Sequence, residues 1–498
     1  MKQNSLGIMF LSLAETYRER IAIRSGNGDL TYAGFKSAVI SCALHLKNKG
    51  VEQGALVSID MKPTGVESIG PIVTTLAVSL LGAHWIQHDP AYLAEGSSLD
   101  VSRVLTNRLD GDLPGIYLKV SHDFFTDLPA NYQAHESLQF DGYGDDDSFF
   151  IAASSGTTGE PKKMAISSTM MFERAISLTE FQDLQTPLLL TTKFIKISNM
   201  AVLHMLATFL KGGTYVLAES YKAMSGLGVN HVVASPAQFK SLLADVPVPS
   251  KPEIFQAKVV GSGLPSKLLK VLLQYFQTVR VSYGSTEAGP VTTRLIAEYS
   301  NDTSVGTVNT GPSVEIVDKD NKALKPGELG EIRIKSRAQI AGYKDAPQAS
   351  AEAFREGWFY PGDIGYLGAS GQLYIRGRVK DHLNIGGVKF NPHEIDELIV
   401  STEGISEGMC FTDQDQDGFT VLAAAISVAK GQNVEVTLNS LLSQFKQKGL
   451  GEALFPKHIY PVTALPQNVN GKTGRHTLTE AVRNVRPIVI TIDSGALH

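Results

Sequence analysis

Apolar residues recur at helical spacing over residues 10–18, and the next stretch, Ile21-Ala22-Ile23-Arg24, has the composition of a strand. Asn27-Gly28-Asp29 then predicts a hairpin turn. Leu30-Thr31-Tyr32 leads into a helix carrying Phe35, Val39, Cys42, Leu44 and Leu46, and residues 55–61 return as a strand. Residues 68–88 carry no charge, but Pro71, Gly82, His84 and Gln87 interrupt them, so they predict a core helix followed by a strand rather than a membrane span. Residues 188–217 repeat the theme with a strand, a kink at Ser198-Asn199, an apolar helix and a Gly212-Gly213 turn into Thr214-Tyr215-Val216-Leu217. Val232-Val233-Ala234-Ser235-Pro236 and Val259-Val260-Gly261-Ser262-Gly263 are two more strands that end in turns. This alternation predicts an α/β chain whose sheets are flanked by helices. A helix over residues 392–400 opens a second, smaller region of roughly 100 residues.

At 498 residues the chain exceeds what one core supports, so two or three lobes are expected. A net charge of −5 supplies no basic field for nucleic acid. The two cysteines, Cys42 and Cys410, form neither a CxxC pair nor a Cys/His cluster, which points to a reducing compartment without structural zinc. Residues 1–13 hold a single charge and no small-residue cleavage site follows, so no signal peptide and a cytoplasmic location are expected. Asp145-Asp146-Asp147 is a solvated turn, since adjacent carboxylates in an extended chain do not converge on a metal.

The chemistry concentrates in Ser154-Ser155-Gly156-Thr157-Thr158-Gly159-Glu160-Pro161-Lys162-Lys163, directly after the apolar run Phe149-Phe150-Ile151-Ala152-Ala153. Two glycines let the backbone turn its N–H groups toward a ligand, four hydroxyls can donate, and the lysines add positive charge. A strand followed by such a loop suits a polyanion, most commonly a nucleoside triphosphate. It is not the ordinary P-loop, because Glu160-Pro161 separates the second glycine from the lysines.

Other segments supply matching parts. Gly261 and Gly263, outside the carboxyl end of a strand, leave bare backbone for a flat ring. In Tyr283-Gly284-Ser285-Thr286-Glu287, Tyr283 offers an aromatic face, Thr286 a hydroxyl for a phosphate oxygen and Glu287 a hard oxygen ligand for Mg²⁺. These strings resemble the motifs of the adenylate-forming superfamily: acyl-CoA synthetases, peptide-synthetase adenylation domains and luciferases. The ten-residue string is similar to its phosphate loop, and residues 283–287 match its YG-x-TE motif about 130 residues further on.

The resemblance extends over about residues 10–480. It places Gly261-Ser262-Gly263 beside adenine, Asp363 on the ribose hydroxyls and Arg378 next to them; Pro361 stands where the superfamily usually has a Thr. It makes Asp381 a hinge and sets Gly387, in Asn384-Ile385-Gly386-Gly387, where a pantetheine arm enters. Leu465-Pro466-Gln467-Asn468-Val469-Asn470-Gly471-Lys472 follows the LP-x(4)-GK pattern and makes Lys472 the catalytic lysine, acting with Thr286 and Glu287. Phe194, Lys196 and Ser235 fall around the acid. Phe194-Ile195-Lys196-Ile197 holds neither the His nor the amine-binding Asp found there in some members, which weakens an α-amino acid as substrate. Lys196 either pairs with a second anionic group on the substrate or leads its ammonium to solvent.

The implied fold is α/β: a large N-terminal AMP-binding domain of helix-flanked sheets (residues 1–380), a small mobile α+β lid (381–480) and a tail (481–498). The implied reaction joins a carboxylic acid to ATP with Mg²⁺, giving acyl-AMP and pyrophosphate, and then transfers the acyl group to CoA or to the phosphopantetheine of an acyl carrier protein. A free-standing adenylating or amide-forming enzyme for an aryl or β-amino acid is the alternative, and a non-catalytic nucleotide-binding regulator a third. Neither the acid nor the oligomeric state is legible.

Overall fold

The computed structural model describes residues 6–60, 69–87, 99–106, 117–119, 149–153, 162–180, 187–194, 198–379, 383–385, 388–448, 450, 454–466 and 474–490. A nine-stranded sheet crosses the large lobe. Its order is Thr307–Val308, Gly289–Ile296, Phe276–Ser285, Ile254–Val259, His231–Ala234, Leu189–Thr192, Thr214–Leu217, Ile21–Ser25 and Gly28–Thr31. The strands from Phe276–Ser285 to Ile21–Ser25 run parallel, and antiparallel partners close both edges. A six-stranded sheet contains Leu56–Asp60 and His84–Gln87, and ends with the antiparallel pair Phe149–Ala153 and Lys163–Ser167.

Helices fill the space between these two sheets. Gly70–Leu80 is buried at every position, and Asn199–Leu210 from Ala201 to Phe209, as expected of helices apolar all round and covered on both sides. Phe10, Tyr32, Phe35 and Phe209 pack their rings with centroids 4.7–6.4 Å apart at the centre of this layer. Thr31 caps Tyr32–Asn48 by accepting from Gly34 N, and Ser198, read from sequence as part of a kink, caps Asn199–Leu210 by accepting from Ala201 N. The other face of the nine-stranded sheet carries Tyr221–Gly226, Pro236–Leu243 and Ser266–Tyr275 over a second core. A third sheet, built around Gly330–Lys335, Asp363–Leu367 and Leu373–Arg378, completes the large lobe.

The smaller lobe has its own core around Ile395, Ile399, Leu422, Leu441 and Phe445. Its four-stranded sheet runs Ile405–Gln414, Thr420–Val428, His458–Pro461 and Ile488–Val489. Residues 488–490, set apart as tail by the sequence reading, supply that last strand and Ile490 of the core. None of the described helices is long and apolar enough to cross a membrane.

Candidate active site

One continuous cleft opens above the carboxyl ends of the parallel strands and extends to the small lobe. This is where ligands sit in open α/β sheets. It is lined by Lys162, Gly261, Tyr283, Glu287, Asp363 and Arg378, residues from three sheets that are far apart in sequence.

Residues 154–161 lie outside the described residues, and with them Ser154, Ser155, Gly156, Thr157, Thr158 and Gly159. The strands on either side pair Ala153 with Lys163, so the two ends of the loop are side by side. Lys344 N donates to Lys163 O at 2.7 Å, which draws Tyr343 beside the loop. The Lys162 ammonium stands 4.6 Å from the Tyr343 ring centroid, and the Tyr343 hydroxyl donates to Glu287 Oε1 at 2.9 Å. One aromatic residue therefore joins Lys162, of the candidate phosphate loop, to the candidate Mg²⁺ ligand. Burial and the adjacent Glu287 carboxylate push the Tyr343 phenol above its ordinary range, so it remains a donor at neutral pH.

Glu287 follows the long strand Phe276–Ser285 in a turn that is tied from below. Ile340 N donates to Glu287 O at 2.9 Å, and buried Arg174 spans Glu287 O and Ala338 O. Gly284 and Ser285 serve this turn themselves: a Cβ on Gly284 would meet Gly289 O at 2.3 Å, and Ser285 Oγ accepts from Ala288 N at 3.1 Å. Thr286 lines the cleft beside them.

Asp363 sits opposite Arg378 in an antiparallel pair, with Arg378 Nε 3.2 Å from Asp363 Oδ1. The Tyr283 hydroxyl donates to the other oxygen, Oδ2, at 2.7 Å. Burial and Asp363 hold the Tyr283 phenol well above its usual value, fixing it as donor. Gly261 and Gly263 have nothing within 4 Å of where a Cβ would be, so both face open space, and Gly261 also needs its φ of +93°.

Around the acid pocket the picture is more divided. Phe194 is half-buried on the cleft wall. Ser235 lines the cleft, but its hydroxyl accepts from Gln238 N at 3.3 Å in the capping box of Pro236–Leu243. Lys196 lies outside the described residues, as do Asp381, Gly387 and Lys472. The segment carrying Lys472 is moored at both ends: Leu465 N donates to Glu407 Oε2 at 3.1 Å, and Arg475 pairs with Asp396 and donates to Cys410 O at 2.6 Å. Glu407 also meets Lys240 of the large lobe at 2.6 Å.

Four residues escaped the sequence reading: Arg174, Tyr343, His204 and Lys258. All four line the cleft. His204 Nδ1 donates to Met200 O at 2.8 Å within its own helix, while Nε2 and Lys258 Nζ are buried without a hydrogen-bond partner among the described residues. The signal for Lys258 was present, since a lysine inside the apolar run Ile254–Val259 contradicts its surroundings.

Comparison with known proteins agrees with this geometry. Residues 10–344 match the model of the family described as AMP-binding enzyme. A 2-succinylbenzoate–CoA ligase from Geobacillus sp. (strain WCH70) is 29% identical over 504 residues, 97% of this chain and 99% of the relative. An oxalate–CoA ligase from Arabidopsis thaliana is 24% identical over 519 residues, 96% of this chain and 99% of its own length. The fold superposes on the O-succinylbenzoate coenzyme A synthetase of Bacillus subtilis, solved in complex with ATP and magnesium ion, with a TM-score of 0.78 and 22% identity over 94% of this chain and 98% of that one.

Proposed function

The chain belongs to the AMP-binding enzyme family, and we infer that it is an acid–thiol ligase that activates a carboxylic acid with ATP and passes it to coenzyme A. A carboxylate oxygen attacks the α-phosphorus, forming acyl-AMP and releasing pyrophosphate. The thiol then attacks the acyl carbon, and AMP leaves with the bridging oxygen. The observation that carries this reading is the convergence of Lys162, Glu287 and Asp363 on one cleft from three separate sheets.

In this reading Asp363, held by Tyr283 and Arg378, receives the ribose hydroxyls, and the adenine lies on Gly261-Ser262-Gly263. The loop from Ser154 to Lys162 takes the departing pyrophosphate, with Thr286 on a phosphate oxygen. The Glu287 carboxylate, oriented by Tyr343, fits a Mg²⁺ ion, which when bound offsets the charge on the phosphates. Phe194 and Ser235 border the acid. Lys472 meets the carboxylate and phosphate where two anions are forced together. Residues 381–480 turn about Asp381 to withdraw Lys472 and open a thiol path at Gly387. The two buried free cysteines suit a reducing compartment, and we place the enzyme in the cytoplasm.

Pyrophosphate exchange with a panel of acids, followed by addition of CoA or of a carrier protein, tests the reading. Acid-dependent exchange and a CoA thioester are expected; exchange without any thioester would favour the amide-forming alternative. Lys472→Ala should lower exchange by about two to three decades, the scale of a lost oxyanion contact, while sparing thiolysis of supplied acyl-AMP.

A further inference from the structure

The strand Ile254–Val259 lies inside the nine-stranded sheet, covered on both faces, yet one of its faces carries Gln256 and Lys258. In register with them on the neighbouring strands are His231, opposite Gln256, and Arg280, opposite Lys258. All four are at most 3% exposed. Arg280 Nε donates to Gln256 Oε1 at 3.1 Å, and His231 Nδ1 stands 2.8 Å from Asn230 Oδ1. Among the described residues Lys258 Nζ has no acceptor and no carboxylate counters it. Its strongest charged neighbour is the like-charged Arg280, while His204 of the helix Asn199–Leu210 approaches from the opposite layer. A buried ammonium with neither counter-ion nor acceptor is costly unless a ligand completes it.

The position of Lys258 says which ligand. It precedes Gly261 by three residues, so along an extended chain it lies roughly 10 Å below the turn where the nucleotide is placed. It nevertheless lines the same cleft, as does His204, which feels its charge. What reaches it is the far end of the acyl group, not the phosphates.

We propose that Lys258 Nζ is the anchor for a second acidic group on the substrate, so that the enzyme selects acids carrying a further carboxylate remote from the one that is adenylated. The proposal rests on the ligase reading and moves the role first considered for Lys196 to a residue deeper in the sheet. Burial and Arg280 drive the Lys258 ammonium down to about 7, so an arriving anion finds a group ready to take a proton. His204 Nε2 offers a second polar atom on the same wall.

The test compares matched pairs of acids, butyrate with succinate and glutarate, benzoate with its carboxylated analogues, on the full chain and on Lys258→Met. Methionine matches the lysine stem in volume and removes the buried charge, so the variant folds. Two readouts are taken: kcat/KM for pyrophosphate release, and the rise in Tm caused by each acid alone. The wild type should prefer one diacid over its monoacid partner by at least ~100-fold, the worth of about 2.7 kcal/mol, and Lys258→Met should bring that ratio close to one. Equal use of mono- and diacids by the wild type, unaltered by the substitution, would overturn the proposal and leave the ligase reading standing. Turnover of no acid, with a diacid raising Tm only in the wild type, would support the anchor and count against the ligase reading. Neither turnover nor any such shift would overturn both.

Discussion

The Tyr283 hydroxyl donates to Asp363 Oδ2 at 2.7 Å, and this bond joins two sheets. Tyr283 lies near the end of a strand of the nine-stranded sheet, and Asp363 opens a strand of the third. With Arg378 on its other oxygen, the carboxylate is held in one orientation before any nucleoside arrives. Such preorganisation reduces the ordering cost of binding. Tyr283→Phe should therefore raise KM for ATP about tenfold, in line with roughly 1.5 kcal/mol for a hydrogen bond to a charged group, with a much smaller change in kcat. Steady-state kinetics with varied ATP decide this; an unchanged KM would reduce the bond to scaffolding.

Tyr343 stands between Lys162 and Glu287, touching both. Groups that orient a metal ligand typically affect affinity by about 10–100-fold when removed. Tyr343→Phe keeps the ring under the lysine and deletes only the donor to Glu287. The Mg²⁺ concentration giving half-maximal pyrophosphate exchange should rise by about tenfold, with ATP affinity at saturating Mg²⁺ far less affected. A matched loss at every Mg²⁺ concentration would instead indicate that the hydroxyl acts elsewhere.

Much of this was legible in the chain. Glu287, Asp363, Arg378 and Lys162 stand in the motifs that the sequence singles out, and the cleft gathers all four. Gly261 was legible for a physical reason too, because no side chain suits its φ of +93° over open space. Tyr343 and Lys258 were not, because they act through pairings set by the fold. Tyr343 reaches the loop only because Lys344 pairs with Lys163 across 181 positions of sequence. Lys258 is odd in its strand, but only the burial of both faces of the sheet and the absence of an acceptor among the described residues turn that oddity into an unmet charge. Ser285 lines the cleft as its motif position suggests, and its hydroxyl also accepts from Ala288 N within the turn, a second task that the fold adds.

The depressed Lys258 titration also has a consequence for stability. Its folded value, about 7, lies below the ordinary lysine value of 10.5, so between the two the unfolded chain binds the extra proton. The wild type consequently gains stability as pH rises across that window and carries the full burial penalty below it. Arg280, His231 and His204 face the same group; burial holds both imidazoles below the usual histidine range, and the Lys258 charge adds to that depression. Lys258→Met should raise Tm most at pH 6 and progressively less toward pH 9, as read by calorimetry across that range. A Tm change that does not vary with pH over this range would show that the ammonium stays charged in the folded protein.

The central claim is that the acid is joined to the α-phosphorus before it meets the thiol, and oxygen tracing tests it most directly. A substrate acid labelled with ¹⁸O in its reacting carboxylate is turned over with ATP, Mg²⁺ and CoA, and the products are weighed by mass spectrometry. The account predicts one ¹⁸O in AMP and none in pyrophosphate, because the attacking oxygen stays on phosphorus when the thioester forms. Label in inorganic phosphate, with ADP as the nucleotide product, would contradict it.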